Sequence, residues 1–360
     1  MPLATLEVTN NEAVVDQGVQ LCSFKEDSYP TRNIRSHRRR VLILGGGTLA
    51  RELYRIVLSE RLGLMDIVGA LVVEDAQVER NARIPGIIGT HEQLAKVVKE
   101  QRVNTIAVCF EDRRSILPVK QLLDLKAMGI DVLDGHQLFE EISGRLSIDT
   151  LRPSAVIFSS GFKQSRVSRA TKRFVDILLS SCGVLMLYPL FLVVALLIKV
   201  DSPGPVIYRQ HRVGLHGQPF QIWKLRSMKQ DAEKSGPQWA QGDDPRITRV
   251  GWWLRKTRID ELPQLISVLK GQMSLIGPRP ERPMFVQDLR KVIPYYDLRH
   301  TVRPGITGWA QVNFRYGASV EDAHIKLQYD LYYVKRLSFA LDIRILRQTV
   351  RVILFGEGAR

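Results

Sequence analysis

The chain has 360 residues, 45% hydrophobic and 25% charged, the balance of a globular protein with two ordinary domains. This composition excludes an intrinsically disordered chain and a polytopic membrane protein. Lys and Arg number 52 against 37 Asp and Glu, and the formal charge of +15 points to an anionic partner: nucleic acid, a phosphorylated metabolite or anionic lipid.

Residues 1–40 show no helical or strand periodicity and end in the run Arg35-Ser36-His37-Arg38-Arg39-Arg40. They read as a flexible basic tail, either solvated or touching anionic lipid. No apolar stretch precedes Val41, so a signal peptide is not expected. Cys22, Cys109 and Cys182 have neither metal-ligand spacing nor a disulfide pattern and suit a reducing compartment.

Val41-Leu42-Ile43-Leu44 is a short buried strand that runs into Gly45-Gly46-Gly47-Thr48-Leu49-Ala50 and then a helical pattern. Gly45, Gly47 and Ala50 fall at the small-residue positions of a dinucleotide fingerprint, where a phosphate approaches a helix N-terminus. The same smallness also serves strand-to-helix packing without any ligand. A second strand, 67–73, ends in Glu74-Asp75, near where a ribose-binding acid belongs. Helices over 91–101 and 116–128 alternate with strands over 105–110 and 130–133. The alternation predicts a Rossmann-like parallel-sheet domain over 41–160.

From Ile177 to Ile198 the chain carries no charge, long enough for the ~20 residues that membrane insertion needs. Pro189 lies in the middle, where it removes a helical hydrogen bond and clashes with the preceding turn. Lys172, Arg173 and Lys199 flank the segment, and positive charge at both ends disfavours a simple crossing. The favoured reading for 170–200 is a re-entrant membrane helix that breaks at Pro189; a single span and a buried core helix are the alternatives.

Residues 201–360 hold the candidate chemistry. A hairpin with strands near 206–208 and 220–223 leads to Lys224-Leu225-Arg226, two cations at i, i+2 spacing suited to an anion. Trp252-Trp253-Leu254-Arg255-Lys256 has the composition of an interfacial helix. Arg258-Ile259-Asp260-Glu261 sets two adjacent carboxylates among cations. Such a pair could bind Mg²⁺, and one of them could attack phosphorus. Prolines 278, 280 and 283 restrain the backbone around Arg279 and so fix its direction. Arg303 opens a Gly-rich segment that reaches Arg315. His211, His216, His300 and His324 lack tight metal-ligand spacing and receive no chemistry. The stretch 327–354 suits a pair of amphipathic helices, on the bilayer or against the catalytic domain.

Taken in order, Lys172-Arg173, the apolar segment with Pro189, Tyr208-Arg209-Gln210, Lys224-Leu225-Arg226-Ser227-Met228, Arg255-Lys256-Thr257-Arg258, Asp260-Glu261-Leu262-Pro263-Gln264, Ser274 to Pro280 and Arg303 to Trp309 resemble the monotopic phosphoglycosyl transferases of bacteria. The resemblance implies a membrane-associated α/β catalytic domain following the Rossmann-like domain, on the cytoplasmic face of the bacterial inner membrane. It implies transfer of hexose 1-phosphate from a UDP-sugar to undecaprenyl phosphate, with UMP released, as the first membrane step of exopolysaccharide synthesis. Asp260 would be the nucleophile and would meet Mg²⁺ together with Glu261. Lys224, Arg255 and Arg279, with Arg303 and Arg315 as weaker candidates, would face the phosphates. Membrane lipids are the expected surroundings, and a homodimer is compatible with the reading.

The upstream half resembles the soluble module of longer exopolysaccharide-initiating members, but their usual transmembrane helices have no counterpart before Val41. Asn313-Phe314-Arg315-Tyr316-Gly317 departs from the Asn-Gly-Arg of many relatives. A nucleotide-dependent oxidoreductase or sugar epimerase is the alternative, resting on Gly45 to Ala50 alone. No nucleic-acid partner is expected, because the basic charge comes without a reading module.

Overall fold

The structure is a computed structural model that describes residues 39–60, 65–72, 86–110, 117–151, 153, 161–162, 165–230, 232, 244–314, 317 and 319–355. The tail up to residue 38, Glu74-Asp75 and Arg315 lie outside the described residues.

The upstream domain comprises β1 (Arg39–Leu44), α1 (Thr48–Glu60), β2 (Met65–Val72), β3 (Ile87–Thr90), α2 (Leu94–Glu100), β4 (Thr105–Val108), α3 (Val119–Ala127), β5 (Asp131–Asp134) and α4 (Gly135–Ser143). Its five strands are parallel and lie in the order β3-β2-β1-β4-β5, that of a doubly wound sheet. Continuous apolar strands follow, because both faces are covered. Val41 and Ile43 pack with Leu53 of α1 and Phe139 of α4, while Leu42 and Leu44 pack with Leu94 of α2 and Leu122 of α3. Strand β3 and helix α4 were not foreseen. The helical pattern from His91 resolves into a 3₁₀ turn, His91–Gln93, followed by α2.

Helix α5 runs from Arg166 to Asp201, 36 residues, and includes Pro189. The break expected at Pro189 is corrected: the helix continues through it. One proline forfeits a single internal N–H bond, and packing on either side holds the axis. A Cβ built on Gly183 lies 3.2 Å from Leu265, and Leu190 and Phe191 pack beside Val194 and Ile198 against Leu225 and Leu254. The helix is long and apolar enough to cross a membrane, and little of its apolar window is buried, which removes the core-helix alternative. Leu185, Met186 and Val200 are among its exposed side chains.

After α5 come β6 (Ile207–Val213), β7 (Pro219–Leu225), α6 (Arg249–Lys256), α7 (Gln264–Leu269), β8 (Ser274–Ile276), α8 (Pro283–Val292), β9 (Gly305–Thr307), α9 (Trp309–Asn313), α10 (Val320–Lys335) and α11 (Phe339–Phe355). Strands β6 and β7 form the expected antiparallel hairpin, and β8 pairs in parallel with β9. Gly277 and Gly305 cross so closely that a Cβ on either would overlap the other strand's backbone. Arg226 donates to the carbonyls of Ile198, Ser202 and Pro203, reinforcing the Ser202 N–H bond at Ile198 O and supplying a donor to the two carbonyls that follow the end of α5.

The two halves are joined by residues 144–151 and α10. Leu146 and Ile148 pack with Leu327 and Leu331, Trp309 Nε1 donates to Gly144 O at 2.8 Å, and buried Glu140 pairs with Lys335 and Arg336.

Candidate active site

Helix α6 starts at Thr248, whose hydroxyl accepts from Gly251 N, and ends at Thr257. Arg258 then adopts a left-handed conformation, φ 59°, which turns the chain into a 3₁₀ turn, Ile259–Glu261. A non-glycine residue in that region costs on the order of 1–3 kcal/mol and persists only where its surroundings impose it. The result is that Asp260 and Glu261, adjacent in sequence, are both buried, at 6% and 7% exposure, and live in different surroundings.

Glu261 is locked. Its Oε1 accepts from Lys224 Nζ at 2.8 Å and Arg279 Nη2 at 2.6 Å, and its Oε2 from Arg279 Nη1 at 3.2 Å, a forked pair. Burial opposes the charge on Glu261, but Arg279 and Lys224 outweigh it and hold the carboxyl well below its ordinary range. Burial also lowers Lys224, against the pull of Glu261.

Asp260 has no such lock. Its Oδ1 is buried and finds no hydrogen-bond partner. Burial pushes the carboxyl above the ordinary aspartate value; Lys224 opposes the shift, Glu261 reinforces it, and Arg255 and Arg258 act against it. The pair therefore splits into a permanent anion clamped by cations and a desolvated carboxylate with a free oxygen. Lys224, Arg255, Arg258 and Arg279 together outnumber the two acids, so the cluster attracts a further anion.

Arg279 is held by its own backbone. Its carbonyl accepts from Arg299 Nη2 at 2.9 Å, and Arg299, buried, also pairs with Asp330 at 2.8 Å and donates to Tyr296 Oη at 2.7 Å. Arg212 donates to Pro280 O, and Gly305 N to Pro278 O. Burial raises Asp330 to about 6, with Arg299 opposing.

The structure thus brings together Asp260, Glu261, Lys224 and Arg279, with Arg255 near enough to act through its charge. It does not bring Arg303, whose Nε donates to Gly271 O at 2.9 Å and fastens the turn after α7. Arg226, paired with Lys224 in the sequence reading, faces the end of α5 instead. Gly45, with φ 126°, sits where a Cβ would meet the Cys109 backbone, and Ala50 is fully buried, so strand packing accounts for the smallness of both. With Gly47 they lie in the turn from β1 into α1 of the upstream domain. Sequence reasoning missed Arg258, Arg299 and Asp330: Arg258 adjoins the carboxylates, but Arg299 and Asp330 meet only through the fold.

Among the described residues no cluster of three His, Cys, Asp or Glu could hold a metal ion. The donor set fits Mg²⁺ only with oxygens from elsewhere, because Glu261 is engaged by cations and Asp260 Oδ1 is the unpartnered oxygen.

This arrangement defines a class: a buried carboxylate pair, one clamped and one open, among cations that attract an anion such as a phosphate. Residues 167–356 match the family described as bacterial sugar transferase, and the chain belongs to that family. It is 48% identical over 231 residues to the UDP-N-acetylgalactosamine-undecaprenyl-phosphate N-acetylgalactosaminephosphotransferase of Aeromonas hydrophila, covering 64% of this chain and 54% of that one. It is 44% identical over 188 residues to the UDP-glucose:undecaprenyl-phosphate glucose-1-phosphate transferase of Escherichia coli (strain K12), covering 52% and 40%. Against the undecaprenyl-phosphate glucose phosphotransferase of Komagataeibacter xylinus the identity is 32% over 328 residues, 89% of this chain and 60% of that one. The chain thus spans between two fifths and three fifths of the length of these relatives.

Proposed function

We propose that the protein transfers hexose 1-phosphate from a UDP-sugar to undecaprenyl phosphate, as the first membrane step of exopolysaccharide synthesis, on the cytoplasmic face of the bacterial inner membrane. The observation that carries the mechanism is the buried, unpartnered Oδ1 of Asp260 beside a Glu261 fixed by Lys224 and Arg279. Asp260 Oδ1 attacks the sugar-bearing phosphorus, the bond from that phosphorus to the bridging oxygen breaks, and UMP leaves with the electron pair. An oxygen of undecaprenyl phosphate then attacks the aspartyl phosphorus, and the Asp260 carboxylate is released. Burial raises the free energy of the Asp260 anion and favours its attack. Lys224, Arg255, Arg258 and Arg279 offset the charge gathering on the transferred group. Mg²⁺ would be held by Asp260 and the diphosphate oxygens rather than by Glu261, and when bound it supplies charge neutralisation at the phosphates.

The relatives' names support a UDP-sugar donor and an undecaprenyl phosphate acceptor but differ between N-acetylgalactosamine and glucose. Both halves of α5 touch the same domain: Lys172 pairs with Asp342, Arg173 donates to Val268 O and Leu269 O, and Ile198 packs on Leu254. That supports a monotopic helix lying along its own domain over a crossing. The oxidoreductase or epimerase alternative loses its main support once packing explains Gly45 and Ala50.

The test is to incubate detergent-solubilised protein with Mg²⁺, undecaprenyl phosphate and a panel of UDP-sugars, measuring UMP and UDP separately. UMP release that disappears in Asp260→Asn is expected. Release of UDP would mean ordinary glycosyl transfer and would overturn the assignment.

A further inference from the structure

A cavity of about 320 Å³ begins at Glu261, Arg258 and Arg279 and runs between β9, α9 and α11. Its wall is mostly apolar, with Leu265, Leu275, Ala310, Leu346, Val352 and Ile353, and it also carries Glu281, Arg299, Lys326 and Asp330. Two further features set its direction. Leu265 is the side chain that meets Gly183 of the apolar helix α5. Ile353, which also lines the cavity, is 54% exposed beside exposed Val350 on α11, so the cavity borders an apolar surface there. The cavity therefore joins the anion-binding cluster to apolar side chains of α7, α9 and α11.

On the reading given under the proposed function, which this inference extends, we propose that this cavity takes the first isoprene units of the polyprenyl phosphate acceptor. The phosphate points at Arg258 and Arg279, and the chain leaves past Val352 and Ile353 toward the bilayer. A cavity of ~150 Å³ lined by aliphatic side chains binds six-carbon benzene, so this one has room for roughly two five-carbon units. The competing occupant is the donor sugar, a molecule of hydroxyls. The charged groups of the wall are already engaged, Arg299 with Asp330, Glu281 with Arg212 and Lys326 with Gly317 O, and the apolar side chains offer it little. Thr307 and Thr349 bond to each other at 2.7 Å, and Gln311 gives its amide N–H to Ile306 O, which leaves Gln311 Oε1 as an acceptor.

Val352→Asp places a charge among the apolar side chains of the cavity, and Ala310→Leu fills the space between them; neither residue belongs to the catalytic cluster. Two readings are compared in each variant: steady-state KM for undecaprenyl phosphate, and exchange of labelled UMP into UDP-sugar without lipid, which reports the first half-reaction alone. The expected result is a tenfold or larger rise in the KM for undecaprenyl phosphate, with exchange within twofold of the wild type. An unchanged lipid KM, or an exchange defect as large as the lipid defect, overturns the assignment; the latter would place the donor there. A farnesyl phosphate analogue bearing a benzophenone on its second isoprene unit gives a readout on the wild-type protein. Labelling of residues 346–353 is expected, and labelling confined to 166–201 overturns the proposal. Wild-type protein that neither exchanges UMP nor releases it would defeat the parent reading, and this inference with it.

Discussion

Replacing Asp260 and Glu261 one at a time, each by its amide, should move stability in opposite directions. Glu261 has a depressed pKa, so its contribution is present above the unfolded value of 4.5 and is lost only as pH falls through the lower folded value. In Glu261→Gln, Lys224 and Arg279 lose their counter-charge in a largely buried site. Breaking such a pair costs about 3–5 kcal/mol, of which the retained amide oxygen recovers ~1 kcal/mol. A Tm drop of roughly 5–10 °C is expected, since ~1 kcal/mol corresponds to about 2–4 °C for a domain of this size. Asp260 is the reverse case. Its folded pKa is raised above 3.8 by burial, so the ionised carboxylate reduces stability above that pKa. Asp260→Asn removes the buried charge and should leave the fold unchanged or more stable by ~1 kcal/mol, while turnover falls at least ~10³-fold. Thermal unfolding in detergent at pH 7.5 and at pH 5.5, alongside UMP release, reads both effects. The gap between Asp260→Asn and wild type should narrow as pH falls toward the Asp260 pKa, because the wild type then protonates. An Asp260→Asn protein destabilised as much as Glu261→Gln would refute the separation of the pair into a clamped anion and a strained one.

Other outcomes follow from the same contacts. The acid limb of the pH–rate profile should lie above the ordinary aspartate range, and Lys224→Met should move it to higher pH, since Lys224 is the main group lowering Asp260; a limb unmoved would count against that coupling. Arg279→Lys keeps the charge but not the fork on Glu261, and should lose on the order of 1–3 kcal/mol of transition-state stabilisation, read as kcat/KM. Arg226→Met should speed hydrogen exchange over residues 194–202, because Ser202 O and Pro203 O lose their Arg226 donor and Ile198 O keeps only the Ser202 N–H at the end of α5. Cysteines placed at Arg166 and Ser202 should be labelled from the same side in membrane vesicles; labelling from opposite sides would establish a crossing.

How far the sequence speaks depends on whether a contact is local. The alternating apolar runs of the upstream half carry the period that two covered sheet faces demand, so strands β1, β2, β4 and β5 were legible. Strand β3, Ile-Ile-Gly-Thr at the sheet edge, has half-exposed side chains and no such signature. In the site, Asp260 and Glu261 were found as a pair, yet nothing in the order Asp-Glu says which is clamped. That follows from the fork of Arg279, 18 residues downstream. Arg303 shows what sequence order leaves out: an arginine beside a proline in a Gly-rich run gives no sign that its Nε–H is held by the Gly271 carbonyl. Pro189 was read through local hydrogen bonding alone, whereas packing on both sides carries the helix across it.

The contacts of α5 also bear on how the domain would reach the lipid acceptor of the proposed reaction. At 1.5 Å per residue its 36 residues span roughly 54 Å, well beyond the ~30 Å of a hydrocarbon core. Lys172, Arg173 and Asp176 are tied to Asp342, the end of α7 and Leu275 N. Gly183 meets Leu265, and from Leu190 to Ile198 the helix packs beside β7 and α6. The interval from Gly183 to Leu190 is about two turns, too short to traverse a bilayer between contacts with one domain. A helix held in this way can enter lipid only if the domain comes with it to the interface, with exposed Trp252 and Trp253 on α6 at headgroup depth. Asp260 follows α6 by four residues, so on the proposed function the same contacts that hold α5 to its domain would set the proposed nucleophile close to the surface where a lipid phosphate lies.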